Sequence, residues 1–396
     1  MKRILYFMPK LELKNNAGNV TRVISLLRYF KNRGFYVDYF GIKNWVNETW
    51  TDDMPDRITD AGFADRVLWA DLKPPKTNPI KRFFTYKIPE FILRRYYGAS
   101  SIFRPFCTFY LRKSFEKVLA ENEYDYIIIN YILWTNLIRY SKHLKNAKVM
   151  VDTHDFLTVH VAKDKKRGKK VGDYFQTEME SLSCFDEVWA VSTDEMYVFS
   201  QFVKNAKVRL VPNMPLFVMN KGEYDTKNKE YDIVYVASDN QWNRMSVKWF
   251  LSEVYPLLPG HLKICIVGKI NVVIEEEYPN VEKIPFAADL GDVYAKSRIS
   301  ICPMLEGTGI KLKVLEAFSF GLPVVCTQRG LDGLPNKLNN GCLLGNTPPE
   351  FADNIIRLLT DEQLYNEQSK QGYHLFDIYF NPEVRYKQLD EIFDVK

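Results

Sequence analysis

Two lysines and a glutamate follow a glycine-rich turn in the segment MLEGTGIKLKVLEAFSFGLPVV, residues 304–325. The apolar spacing predicts a helix from about Ile310 to Phe320. The N-terminus of a helix is the positive end of its dipole, and a cation there costs roughly 0.3–1 kcal/mol unless an anion lies nearby. Lys311 and Lys313 therefore indicate either a tolerated mismatch or an anion-binding site.

The turn before this helix is Gly307-Thr308-Gly309, with Thr308 or Gly309 as the predicted N-cap. Free backbone N–H groups, glycines that allow close approach and two ammonium groups suit a diphosphate. Glu316 lies about 4.5 Å further along the helix axis than Lys313, where its carboxylate could accept both hydroxyls of a ribose. The alternative is a surface ion pair of these two residues on the side opposite the core, worth about 0.2–0.5 kcal/mol.

Alternating strand and helix patterns predict two domains around this segment. The N-terminal pattern is strand, helix and strand, which is a parallel βαβ unit, and strand–helix alternation restarts after the polar segment 220–230. We therefore predict an α/β protein with two Rossmann-like, doubly wound domains that face each other across a cleft. The predicted ranges are 1–219, 231–375 and a C-terminal helix, 376–396, that packs back toward the first domain.

Composition narrows the class of protein. The chain has 396 residues, 46% hydrophobic and 26% charged, as in ordinary globular proteins, and its net charge of +5 does not by itself indicate nucleic acid binding. Six cysteines without a CxxC pair indicate free thiols in a reducing compartment rather than disulfides or structural zinc. We see neither a signal peptide nor a transmembrane run, and we expect a cytoplasmic protein that can sit on a membrane.

The stretch GTGIKLKVLEAFSFGLPVV resembles the donor-binding segment of retaining GT-B glycosyltransferases of family 4, also called group 1. The segments NNAGNVTRVISLLRYFKNRGFYVDYF, VDTHD, VRLVPNMP and RGLDGL agree with that family in order and spacing. The resemblance covers essentially the whole chain and is weakest between about residues 43 and 122. It implies an acceptor-side first domain and a second domain that binds a nucleoside-diphosphate sugar.

The resemblance also implies roles for single residues. Glu316 would hold the ribose, Lys313 would contact the diphosphate, and His154 would lie near the donor sugar. We predict His154 and Lys313 as catalytic residues. The predicted donor-binding residues are Glu316, Lys311, Gly309, Gly307, Thr308, Arg244, Gly18 and Asn19. Many members carry a further glutamate upstream of the one matched by Glu316, but the family spacing places Thr308 there.

The implied reaction moves a hexose to a glycan or lipid-linked acceptor with retention at the anomeric carbon, in bacterial surface polysaccharide synthesis. No DxD motif is apparent at a strand end of the second domain, so we expect lysines and the helix start to compensate the diphosphate without a metal or other cofactor. One alternative is a nucleotide-sugar 2-epimerase of the same fold. Another is a catalytically silent nucleotide-sugar-binding protein that lacks the upstream glutamate.

His154 lies between two aspartates in the motif DTHD, after a predicted strand. Three interpretations are open: a metal ligand, a structural histidine at the end of the strand, or a polar group against the donor sugar. Because parallel strands end at the ligand-binding edge of a sheet, the third is the hypothesis that we carry forward.

Two basic segments stand out. Residues 73–117 contain eleven lysines and arginines, two glutamates and many aromatic residues. This pattern favours an anionic membrane surface or an acceptor-facing patch over a solvated face, and no motif supports nucleic acid binding. The second segment, KDKKRGKK at residues 163–170, predicts a solvated loop or a flap that touches phosphates or lipid head groups.

Overall fold

The computed structural model describes residues 1–11, 13, 18–45, 48–97, 106–162, 170–215, 218–219, 229–307 and 309–395. They form two compact units, Met1–Asn15 with Val23–Val211, and Asn16–Arg22 with Pro212–Lys396. The C-terminal residues 376–396 group with the second unit in this division. Most of the expected linker at residues 220–230 lies outside the described residues, and the predicted domain boundaries remain predictions.

A seven-stranded parallel sheet forms the first unit, in the order β5-β2-β1-β6-β7-β8-β9, with β3 and β4 as a separate antiparallel pair. The strands are β1 (Arg3–Phe7), β2 (Tyr36–Ile42), β3 (Asn44–Trp45), β4 (Glu48–Thr49), β5 (Arg66–Ala70), β6 (Tyr126–Asn130), β7 (Lys148–Asp152), β8 (Glu187–Ala190) and β9 (Lys207–Leu210). The accompanying helices are α1 (Gly18–Asn32), α2 (Met54–Asp60), α3 (Pro79–Arg82), α4 (Ile88–Tyr97), α5 (Phe109–Glu121), α6 (Leu157–Ala162), α7 (Val171–Leu182) and α8 (Thr193–Phe202).

The second unit contains a six-stranded parallel sheet in the order β12-β11-β10-β13-β14-β15. Its strands are β10 (Tyr231–Val236), β11 (Ile264–Val267), β12 (Val281–Ile284), β13 (Ser297–Cys302), β14 (Val324–Cys326) and β15 (Cys342–Leu344). Its helices are α9 (Gln241–Trp249), α10 (Leu290–Ala295), α11 (Leu312–Ser319), α12 (Pro348–Thr360), α13 (Glu362–Tyr379) and α14 (Pro382–Ile392). The two sheets confirm the predicted pair of Rossmann-like domains.

The strand order places a switch point at the centre of the second sheet. Strands β10 and β13 pair in parallel, but the chain proceeds from β10 toward one edge of the sheet and from β13 toward the other. The connections after these strands therefore diverge and leave a crevice at their carboxyl ends, where ligands of doubly wound sheets bind. The helices that follow them are α9 and α11.

Sequence patterns located the inner strands and missed one edge strand of each sheet, β5 in the first and β12 in the second. The inner strand β6 is buried throughout and reads as an apolar run, whereas β12 is only partly buried and carries two charged residues. All six cysteines are free thiols, and four of them are buried. No helix of the described residues has the length and apolar character required to cross a membrane.

A close glycine contact fixes the position of α11. A Cβ atom on Gly372 of α13 would lie 2.6 Å from Cδ1 of Phe318 on α11. Because real Cβ atoms essentially never come that close to another heavy atom, only glycine allows the two helices this approach. Phe318 itself is completely buried in the core of the second unit.

Candidate active site

The turn between β13 and α11 lies at the switch point of the second sheet. Gly307 and Gly309 have φ values of +104° and +76°, in the left-handed region that favours glycine. A Cβ atom on Gly307 would lie 3.8 Å from Cγ of Trp242, so this turn packs beside the start of α9. Thr308 lies outside the described residues.

The helix begins later than predicted. Its N-cap is Lys311, in an extended conformation, and not Thr308 or Gly309. The Lys311 side chain is only 8% exposed. Its Nζ donates a 2.6 Å hydrogen bond to the Gly309 carbonyl and lies 3.9 Å from Oδ2 of Asp332. Lys311 therefore turns back onto the glycine turn, as expected from the lean of side chains toward the helix start.

Lys313 on α11 is half-buried, and its side chain faces α9. Its Nζ donates a 3.2 Å hydrogen bond to Oδ1 of Asn243 on α9 and lies 4.6 Å above the ring of Tyr235 on β10. Burial is the main cause that lowers the pKa of Lys313 to about 8, and the charge of Lys311 lowers it further. The ammonium group is thus held in an environment that disfavours its charge.

Glu316 is buried one helical turn further along α11, with 7% of its surface exposed. The hydroxyl of Tyr294 on α10 donates a 2.9 Å hydrogen bond to Oε2 of Glu316. Burial raises the pKa of Glu316 to about 7, against the opposing effects of this hydrogen bond and of Lys313. A ligand that donates hydrogen bonds to this carboxylate would favour its charged form.

The alternative of a surface ion pair is wrong. Glu316 is buried against Tyr294, while Lys313 contacts Asn243 and Tyr235. Among the described residues no ion pair joins Lys313 and Glu316. Periodicity identified only the apolar face of α11, whereas the fold also covers the side that carries these two charges.

Arg244 does not lie with the lysines. It is exposed on α9 and forms two hydrogen bonds with Asp239, Nε to Oδ1 at 2.5 Å and Nη2 to Oδ2 at 2.8 Å. The preceding residue, Asn243, is the one that contacts Lys313, and a contact of Arg244 with the diphosphate remains a prediction. Asn243 is held in place because its Nδ2 donates to the Ser238 carbonyl at 2.8 Å.

Gly18 and Asn19 lie in the first turn of α1, and this turn groups with the second unit whereas α1 from Val23 onward groups with the first. A Cβ atom on Gly18 would lie 3.5 Å from Cδ1 of Leu312, the first residue of α11. Asn19 is exposed, and its Oδ1 accepts a hydrogen bond of 2.9 Å from the Val20 backbone N–H. Gly18 thus lies beside the start of α11.

His154 belongs to the first unit, two residues beyond β7. Its Nε2 lies 2.6 Å from Oδ1 of Asn130, the last residue of β6. Asn130 Nδ2 donates to the Phe7 carbonyl at 2.8 Å, and this leaves Oδ1 as the acceptor, so Nε2 of His154 carries a proton. The His154 ring stacks on Tyr131 at a centroid distance of 4.3 Å.

Strained backbone accompanies this histidine. His154 and Tyr131 have φ values of +60° and +67°, which non-glycine residues rarely adopt. Such conformations persist where the surrounding structure over-determines them, and they cluster at functional sites. Among the described residues no group of three or more His, Cys, Asp or Glu side chains is arranged to hold a metal ion.

Sequence reasoning missed several partners of the predicted residues. Asn243, Tyr235 and Tyr294 contact Lys313 or Glu316 from three other elements of the second unit. Asp332 lies near Lys311 and belongs to RGLDGL, a segment that carried the family resemblance without an assigned role. The basic loop at residues 163–170 falls almost entirely outside the described residues.

Part of the chain matches a known protein family. Residues 230–361 match the family model of glycosyl transferases group 1. The matched range contains Lys311, Lys313 and Glu316 together with their neighbours on α9 and α10. The predicted resemblance is therefore confirmed for this part of the chain, while membership of family 4 in particular remains a prediction.

Solved structures similar to the whole chain share its fold of two parallel sheets. Sucrose-phosphate synthase from Thermosynechococcus elongatus superposes with a TM-score of 0.68 at 16% identity, covering 100% of this chain and 98% of that one. HepE of Anabaena, solved with UDP, superposes with a TM-score of 0.68 at 13% identity and full coverage of both chains. TarM of S. aureus superposes with a TM-score of 0.66 at 12% identity, covering 100% of this chain and 99% of that one.

These findings define the class of protein, a glycosyltransferase with the GT-B fold. More particularly, residues 230–361, a third of the chain, match the group 1 glycosyl transferases. A curated relative is the "Uncharacterized 44.6 kDa protein in cps region" of Klebsiella pneumoniae. It is 24% identical over 271 residues, which cover 62% of this chain and 66% of the relative.

Proposed function

We propose that the chain is a retaining glycosyltransferase that moves a sugar from a nucleoside diphosphate to a glycan or lipid-linked acceptor. The observation that carries the proposal is the grouping of Lys311, Lys313 and Glu316 beside the glycine turn at the switch point of the second sheet. The two cations and the carboxylate lie in the order that a diphosphate followed by a ribose requires.

The electrostatics of Lys313 and Glu316 favour such a donor. Burial lowers the pKa of Lys313 to about 8. A diphosphate beside this lysine would stabilise its ammonium form. Burial raises the pKa of Glu316 to about 7. Ribose hydroxyls that donate hydrogen bonds to Glu316 would stabilise its carboxylate form. Binding would therefore relieve two unfavourable charges at once, which supports the assignment of these residues to the donor.

In the proposed reaction the bond between the anomeric carbon and the diphosphate oxygen breaks. The acceptor oxygen forms its bond on the same face of the sugar, and its proton passes to the departing phosphate oxygen. Lys313, Lys311 and the start of α11 would stabilise the negative charge that develops on the leaving group. We assign this role to the cations rather than to a metal ion, and addition of a chelator would test that assignment.

His154 would contribute a polar contact to the donor sugar. Its proton on Nε2 is committed to Asn130, and its ring is fixed by stacking on Tyr131. A rigid ring suits the positioning of a sugar because misplacement by a fraction of an ångström costs rate.

We place the reaction in bacterial surface polysaccharide synthesis, at the cytoplasmic face of the membrane. The support is the relative from the cps region of Klebsiella pneumoniae and the family resemblance. UDP is the first nucleotide to test, because the solved complexes of HepE and of a TarM variant contain it.

A panel of nucleotide sugars tests the proposal by thermal shift and by slow hydrolysis of the donor. We expect one nucleotide to stabilise the protein and Glu316→Gln to abolish the shift, while Glu253→Gln, an exposed carboxylate of the same unit, keeps it. Release of an epimerised sugar without acceptor would instead identify a 2-epimerase. Nucleotide binding without any turnover would identify a silent binding protein, and NMR of the product tests retention.

A further inference from the structure

A helical segment of the first unit carries an unusual density of exposed apolar side chains. It consists of α3, a π-helical turn at Phe83–Lys87 and α4. Five large apolar residues between positions 80 and 92 are 48% to 74% exposed. They are Ile80, Phe83, Phe84, Phe91 and Ile92, and we call them the apolar face.

The opposite side of this segment is anchored to the first unit. Tyr86 is buried, and so is Glu90, whose Oε2 accepts a 2.7 Å hydrogen bond from the Phe109 backbone N–H at the start of α5. These anchors orient the segment, so the apolar face points away from the unit that carries it. Monomeric proteins seldom expose such contiguous apolar surface without an interaction partner.

The charges around the apolar face have one sign. From residue 73 to residue 97, Glu90 is the single acidic residue in the sequence, and it is buried. The described cationic side chains of this range are all exposed or half-buried: Lys73, Lys76, Lys81, Arg82, Lys87 and Arg95. An apolar strip with a cationic border complements the acyl chains and anionic head groups of a bilayer.

We infer that the apolar face of α3 and α4 inserts into the interfacial layer of an anionic membrane, with the helices lying in the membrane plane. No described helix could cross the membrane, so the contact is peripheral. A second copy of the chain is disfavoured as the occupant because the cationic borders would repel each other. The inference concerns the first unit and does not require that the proposed transfer reaction is correct.

Co-sedimentation of the full chain with lipid vesicles tests this inference. We expect binding to phosphatidylcholine vesicles that contain phosphatidylglycerol, and about tenfold weaker binding to pure phosphatidylcholine or at high salt. The double variant Phe84→Ser/Phe91→Ser should lose binding by about tenfold or more. The matched control is Phe286→Ser/Leu338→Ser, which removes two exposed apolar side chains of the second unit and should bind like the wild type.

A second pair of variants isolates the charges. Lys81→Glu/Lys87→Glu should lose binding to the anionic vesicles, and Lys248→Glu/Lys263→Glu in the second unit should not. The inference is overturned if the wild type ignores anionic vesicles, or if the control variants lose as much binding as the test variants. It is also overturned if gel filtration shows a dimer that Phe84→Ser/Phe91→Ser dissociates, since the face would then be a protein interface. Thermal melts confirm that each variant is folded.

Discussion

The hydroxyl of Tyr294 donates a 2.9 Å hydrogen bond to Oε2 of Glu316, and both residues are buried. Among the hydrogen bonds of the described residues, this is the one donated to the Glu316 carboxylate. A single neutral donor does not compensate a buried carboxylate, which is why burial still raises the pKa of Glu316 to about 7. The remaining hydrogen-bonding capacity of the carboxylate suits a ribose.

We expect Glu316→Ala to weaken nucleotide binding by about 1.5–3 kcal/mol, the value of a charge-assisted hydrogen bond. Isothermal titration calorimetry with the nucleotide selected by the panel measures this loss. Glu253→Ala, which removes an exposed carboxylate, is the control and should leave the affinity unchanged. Equal affinities of Glu316→Ala and the wild type would refute the assignment of the ribose to this residue.

Nucleotide affinity should pass through a maximum between about pH 7 and pH 8. Below the Glu316 pKa of about 7, the carboxyl must lose a proton before it accepts ribose hydrogen bonds, so affinity falls as the pH falls. Above the Lys313 pKa of about 8, the amine must gain a proton to pair with the diphosphate, so affinity falls as the pH rises. Calorimetry across this range would show a flat profile if the two groups do not contact the ligand.

Tyr294→Phe should move the acid side of that profile to higher pH. The variant removes the hydrogen bond that lowers the pKa of Glu316, so this pKa should rise further above its present value of about 7. The pH at which affinity falls to half of its maximum on the acid side should rise. The affinity at the optimum pH should change little. Tyr278→Phe is the control, because it removes a similar Tyr–Glu hydrogen bond, to exposed Glu276, and should leave the profile where it is.

Lys313→Met should weaken nucleotide binding and at the same time stabilise the free protein. An apolar side chain of similar volume avoids the burial of an ammonium group, so the free energy of unfolding should rise. The folded pKa of about 8 lies below the ordinary value of 10.5, so the cost is fully present below pH 8 and fades as the pH rises toward 10.5. The gain in stability should follow the same course.

Thermal melts and calorimetry on the same samples measure both effects. Lys248→Met, which changes an exposed lysine of α9, should alter neither property. A variant at Lys313 that is less stable but binds nucleotide normally would show that this lysine serves the fold and not the donor.

His154→Asn should reduce kcat without a matching loss of nucleotide affinity. Asparagine tolerates the left-handed backbone of this position, where φ is +60°, so the variant is expected to fold. It lacks the ring that stacks on Tyr131 and would position the donor sugar. His143→Asn changes an exposed histidine and serves as the control. Steady-state kinetics that show only a raised KM would contradict a role at the reacting sugar.

The apolar spacing of α11, the glycine turn and the two lysines could be recognised from one contiguous segment, because local sequence determines helix periodicity and the need for positive φ. Partners such as Asn243 and Tyr294 could not, since they reach Lys313 and Glu316 only through the strand order of the sheet. For a related reason the sequence did not show that Asn243, rather than Arg244, is the neighbour of Lys313 on α9. The side chain that turns inward depends on where α9 begins, and its Asn240 cap sets that position.

Gly372 has no side chain that could contact a substrate, yet the position of α11 depends on it. A methyl group at this position would meet the Phe318 ring and displace α11 by part of an ångström, together with the lysine and glutamate that α11 bears. Screens for loss of sugar transfer should therefore recover substitutions at Gly372 in a protein that is still folded. Such an allele would resemble a substrate-contact mutation, although the altered residue lies on α13, well beyond Glu316 in the chain.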